Sequence, residues 1–118
     1  MNCTVTIDNG KTDGKFVSKG KLNLGAEGFT VFYSLDGDKC MLTYSGGTVV
    51  QERRGRVPMI MRFTQGKRTE CTLGDGVNSG SFPVFTNKIE IENDDKSVYI
   101  KLYYTLAGEY VTLAISAK

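Results

Sequence analysis

All five arginines of the chain, Arg53, Arg54, Arg56, Arg62 and Arg68, stand in one short segment with Lys67 among them. Guanidinium groups gathered in this way can hold phosphate or carboxylate bidentately. Along Val57, Met59, Met61 and Phe63 the odd positions are apolar, which places Arg62 on the wetter face of a strand, and Glu52 and Glu70 nearby offset part of the charge. A solvated strand face that discourages edge pairing is the simpler reading of the cluster. Arg53 differs, because its parity opposes that of Arg54 and Arg56 and the following Gly55 is a candidate bulge that would re-aim the chain. Turned inward, Arg53 would be a buried charge, costly unless it meets an internal Glu, a backbone carbonyl or a ligand.

Three tyrosines, Tyr33, Tyr44 and Tyr104, share parity with the apolar residues of their runs, so their hydroxyls are expected to enter the interior and to need partners there. With Arg53 they form the candidate ligand-binding set. Tyrosines packed in a core commonly do no more than fill it.

The chemistry of catalysis is poorly represented. The chain has no histidine, which excludes the usual Ser-His and Cys-His arrangements. Glu90 and Glu92 share one strand face and Asp94-Asp95 reads as a hairpin tip, so a solvated face and a turn explain these carboxylates better than a glycosidase pair. Cys3, Cys40 and Cys71 lack chelating spacing, and Cys40 and Cys71 share parity with apolar neighbours. They read as reduced, apolar fillers without a metal. No enzyme activity and no cofactor is expected.

The elements that must position these residues are strands. Apolar residues alternate in Cys3-Val5-Ile7, Phe29-Val31-Tyr33-Leu35, Cys40-Leu42-Tyr44, Val57-Met59-Met61-Phe63, Val98-Ile100-Leu102-Tyr104-Leu106 and Val111-Leu113-Ile115. Turn residues separate the runs at Asp13-Gly14, Asp36-Gly37, Gly46-Gly47, Gln65-Gly66, Gly74-Asp75-Gly76, Asn78-Ser79-Gly80, Asn93-Asp94-Asp95 and Ala107-Gly108. Turns about ten residues apart describe successive hairpins. Eight to ten short antiparallel strands must then close into a barrel or split into two packed sheets.

One domain, residues 1–118, accommodates all of this, since nothing in composition divides the chain. Pro58 and Pro83 fall at or near strand starts. A net charge of +2 marks no global field for nucleic acid or membrane. No segment approaches the ~20 apolar residues of a membrane helix and no signal sequence is evident, so a cytoplasmic location is expected.

The chain resembles the small bacterial family of uncharacterised calycin-like barrels known as the DUF1934 or YwiB-like family. The resemblance runs from about Gly28 to Lys118. It is carried by Gly28 before an aromatic-rich strand, Leu42-Thr43-Tyr44, Arg53-Arg54-Gly55, Met61-Arg62-Phe63-Thr64-Gln65-Gly66, Gly80-Ser81, Thr86-Asn87-Lys88-Ile89 and Leu102-Tyr103-Tyr104-Thr105-Leu106. It implies a lipocalin-like up-and-down barrel and no assigned activity. Two departures stand out: Ser45-Gly46-Gly47-Thr48 replaces an acidic, longer segment, and Gly74-Asp75-Gly76-Val77-Asn78-Ser79 replaces a Thr-Pro. A shortened barrel with one hairpin trimmed and an incomplete wall is the expectation these departures raise.

The leading functional expectation is therefore a noncatalytic barrel that binds a small, anionic molecule in its interior, with Arg53, Tyr33, Tyr44 and Tyr104 lining the site. A second is a protein-interaction or homodimer module that pairs through a strand edge left open by the trimmed hairpin. The weakest is nucleic-acid binding by the Arg53 to Arg68 segment, whose only aromatic is Phe63. No membrane partner is expected.

Overall fold

The computed structural model describes residues 1–10, 14–56, 58–74 and 80–118, and all its regular elements are strands. In chain order these are β1 (Asn2–Asp8), β2 (Lys15–Leu24), β3 (Gly28–Leu35), β4 (Asp38–Ser45), β5 (Thr48–Arg54), β6 (Met59–Thr64), β7 (Arg68–Leu73), β8 (Gly80–Asn93), β9 (Val98–Leu106) and β10 (Glu109–Ala117). Each pairs antiparallel with the next, and β1 pairs with β10 to close a ten-stranded barrel. Closure decides between the two architectures that alternation alone allowed.

Hairpin chemistry explains the sharp connections. Asp36-Gly37, Gly46-Gly47 and Ala107-Gly108 all have positive φ at both positions, 51° and 82°, 59° and 81°, and 51° and 81°. Two such residues in succession make the turn whose twist matches that of the flanking strands. The Ser45-Gly46-Gly47-Thr48 departure is thus a complete two-residue hairpin between β4 and β5. The incomplete wall it suggested is not found, because closure gives every strand a neighbour on both sides.

Alternation then sorts the side chains. Val5, Val31, Leu42, Val49, Phe63, Val84, Ile100 and Leu102 face inward and are wholly buried, while residues of the other parity meet water. Two long strands change partners along their length. β2 pairs with β1 through Lys21 and with β3 from Lys21 onward. β8 pairs with β7 as far as Phe85 and with β9 from Val84, with a register shift between Thr86 and Lys88. Pro83 precedes the stretch paired with β9, as expected of a residue without a backbone donor.

The strand β2 has no counterpart among the alternating runs, because its inward positions include Ser18 and Gly20 rather than an unbroken apolar row. Val57 and the turn residues Asp13, Asp75, Gly76, Asn78 and Ser79 lie outside the described residues.

Candidate functional site: a cleft at the barrel mouth

Arg53 is placed by register. Tyr33 on β3, Cys40 on β4, Arg53 on β5, Met59 on β6 and Leu73 on β7 oppose one another in sequence across five strands. Directly opposed residues share a face, and Tyr33 and Cys40 are buried, so Arg53 projects toward the interior side. It sits one residue from the end of β5, at the mouth, and keeps about a third of its side chain exposed, at 31%.

Its partner is Asp38. Arg53 Nε donates to Asp38 Oδ2 at 2.7 Å, and this bond is the main reason the guanidinium holds its proton more firmly than usual. Asp38 begins β4 directly after the Asp36-Gly37 turn and shares inward parity with Cys40. Gly55 completes the arrangement: a Cβ there would fall 1.9 Å from Asp38 Oδ1, so a larger residue would push the carboxylate out of this position. Gly55 therefore seats a counter-ion. The inward charge is paired, with an aspartate rather than with a Glu or a backbone carbonyl.

Around this pair opens a cleft of about 630 Å³ lined by Asp36, Asp38, Arg53, Arg56, Met59 and Leu73. The lining combines two cations and two anions with the thioether of Met59 and the aliphatic side chain of Leu73. Arg53 uses Nε for Asp38, and its remaining guanidinium donors give it a fork for another acceptor.

Deeper in lies a second polar contact. Gln51 Nε2 donates to Tyr33 Oη at 2.9 Å. Burial, aided by Cys40 alongside, pushes the Tyr33 hydroxyl up to about 12, although the Gln51 bond works the other way. Burial likewise raises the Cys40 thiol against the opposing pull of Arg53. Cys3 and Cys71, on β1 and β7, are buried as well, and burial raises both thiols.

The raised Tyr33 has a measurable consequence. Its folded value exceeds the ordinary value near 10, so the stability it confers is whole below about pH 10 and is lost as pH climbs toward 12. Between those limits the wild-type protein should lose about 2 kcal/mol more than Tyr33→Phe, which has no proton to release there. Urea melts of both proteins at pH 9 and pH 12 check this, and equal losses would mean that Tyr33 ionises as freely as an exposed phenol.

The four candidate site residues do not form one cluster. Tyr33 lies in the row that leads to Arg53. Tyr44 is in register with Val49, four residues along β4 from Cys40, which places it roughly 13 Å further along the barrel. There it packs on Phe29 with ring centroids 5.5 Å apart. Tyr104 packs on Phe63 at 4.9 Å. The structure adds Arg56, which the sequence marks only as one of the arginine cluster, and Asp38, Gln51, Met59 and Leu73, which the sequence does not mark as site residues. Asp38 carried a signal, inward parity two residues before Cys40, but the adjoining turn disguised it.

The arginine cluster is dispersed by the fold. Arg53 and Arg56 reach the mouth, whereas Arg54, Arg62 and Arg68 are exposed on the strands. Glu90 pairs with Lys88 at 3.2 Å. Asp94 Oδ1 accepts from Lys96 N, Ser97 N and Ser97 Oγ, which holds its carboxyl below the usual range and ties the β8–β9 turn. These carboxylates do structural work on a solvated face and a hairpin tip.

Fold and mouth together define a closed, ten-stranded, up-and-down antiparallel barrel with a charged rim over an apolar interior. The chain belongs to the family described as Domain of unknown function (DUF1934), whose model matches residues 1–114. Among solved structures it is similar to the YwiB protein from Bacillus subtilis, with a TM-score of 0.80 at 20% identity over 99% of this chain and 89% of that one. That likeness speaks to the fold. No curated protein matches the chain.

Proposed function

We propose that the barrel is a noncatalytic binder of a small molecule with an anionic group, and that the ligand sits in the mouth cleft rather than in the barrel centre. The observation that carries the reading is Arg53, oriented by Asp38 through Nε alone, so that the rest of its fork borders a cleft shared with Arg56, Met59 and Leu73. A carboxylate or phosphate accepts from Arg53, and the apolar part of the molecule lies on Met59 and Leu73. The large buried side chains of the core favour the mouth over the interior.

Thermal melts with a panel of small carboxylates and phosphates test the proposal. At least one should raise the wild-type melting temperature in a concentration-dependent way, and Arg53→Ala should abolish the rise. Arg53→Ala itself should cost about 1–2 kcal/mol. That lies below the ~3–5 kcal/mol for stranding a fully buried charge, because the pair is partly solvated. A panel that shifts neither protein, or shifts both equally, overturns the proposal.

The second reading, pairing through an open strand edge, has no such edge to use, since β1 and β10 close the ring.

A further inference from the structure

The modest net charge of +2 conceals an uneven distribution. The outward positions of β2 to β5 carry Lys15, Lys19, Lys21, Lys39 and Arg54 against a single carboxylate, Glu52. On β8 and β9 the outward lysines Lys88 and Lys101 face Glu90 and Glu92, and Lys88 is ion-paired with Glu90. Among the described residues Lys19, Lys21 and Lys39 have no carboxylate within ion-pair distance.

Two local features go beyond a solvated lysine face. Lys39 and Arg54 are directly opposed in the β4–β5 ladder, a like-charge pair that weakens a sheet unless something anionic covers it. Arg54 reaches Glu52 only at 3.6 Å with its side chain 81% exposed, so that carboxylate offsets little. Beside them Phe32 lies in register with Lys21 on one side and Met41 on the other, and its ring is substantially exposed. Phe32, Lys39, Met41, Glu52 and Arg54 border a shallow cleft of about 390 Å³.

We infer that this outer face of β2 to β5 binds single-stranded nucleic acid, with a base stacked on Phe32 and backbone phosphates on Lys21, Lys39 and Arg54. An exposed aromatic flush with a sheet surface and bracketed by cations is the arrangement that holds unpaired bases. Charge alone would suit an acidic peptide or an anionic membrane equally. Phe32 favours nucleic acid, because among the exposed strand aromatics it is the one set against Lys21, Lys39 and Arg54, where a base can stack while its phosphates meet the cations. The surface is separate from the mouth cleft, so its success or failure does not depend on Arg53 as a ligand group.

Fluorescence anisotropy with labelled twelve-nucleotide oligothymidylate and oligouridylate tests the inference. Three phosphate contacts predict a loss of roughly 20-fold in affinity between 50 and 200 mM salt. Lys39→Glu combined with Arg54→Glu should weaken binding at least about tenfold, and Phe32→Ala at least about fivefold, the lower end of one lost stacking contact. Lys88→Glu on the opposite wall should leave affinity unchanged. Circular dichroism and melting temperature confirm that each variant is folded. A preference for one oligonucleotide supports the inference and shows that the face distinguishes the two by the ribose 2′-hydroxyl or the thymine methyl group. No binding at 50 mM salt, equal binding by polyglutamate or phosphatidylserine vesicles, or binding insensitive to Phe32→Ala overturns it.

Discussion

Phe63→Ala should lower the unfolding free energy by about 3–5 kcal/mol, the usual range for an aromatic removed from a filled core. Phe63 is the largest of the wholly buried side chains. It opposes Val49 in the β5–β6 ladder and meets Tyr104 with ring centroids 4.9 Å apart and planes inclined at 59°. Its loss removes both transfer free energy and an inclined aromatic contact worth ~0.5–1.5 kcal/mol. Phe63→Leu, which keeps much of the volume, should cost clearly less. Urea denaturation with an unchanged slope gives the measurement. A loss under ~1.5 kcal/mol would show an interior loose enough to absorb the vacancy, and it would move the ligand question back from the mouth to the barrel centre.

A comparable penalty is expected at a residue with no side chain. Gly20 stands where β2 leaves β1 and takes up β3, and a Cβ there would lie 2.1 Å from the Phe32 carbonyl oxygen and 2.8 Å from Val5 Cγ2. The carbonyl belongs to the backbone of a paired strand and cannot swing aside as a flexible side chain would. Gly20→Ala should therefore cost about 3 kcal/mol, at the upper end of overpacking effects, through spreading of the β2–β3 seam. Equilibrium unfolding of Gly20→Ala and Gly20→Ser should show the loss growing with side-chain size. An unperturbed Gly20→Ala protein would mean that β2 and β3 do not approach so closely.

The legibility of these features in the sequence follows from how local their causes are. Val98 to Leu106 announces its strand because every inward residue is apolar, and Asp36-Gly37 announces its hairpin because only a few residues accept positive φ twice. Phe63 was readable as core from parity alone. Arg53 was readable as inward for the same reason, but its partner was not. Asp38 reaches it across a ladder, and register between β4 and β5 is set by the intervening Gly46-Gly47 turn rather than by any feature of Arg53. β2 was hidden because Gly20 and Ser18 interrupt its apolar face, and the Gly20 contact arises from two strands remote in the chain. The basic face of β2 to β5 is not visible in the sequence, because charge summed along a chain does not show which residues a barrel turns outward together.

The ring also bears on how the chain finds its shape. Every pairing except one joins neighbouring strands through a hairpin, and the exception is the seam of β1 with β10, where Thr4 and Lys118 exchange backbone hydrogen bonds of 2.8 and 3.0 Å. Loop-closure entropy is thus concentrated in that one pairing, since each of the others joins strands consecutive in the chain. The seam is where the barrel can open without disturbing any hairpin. The free energy of that local opening, read as hydrogen exchange at the amides of the β1–β10 ladder, sets the fraction of molecules whose cylinder is open at any moment.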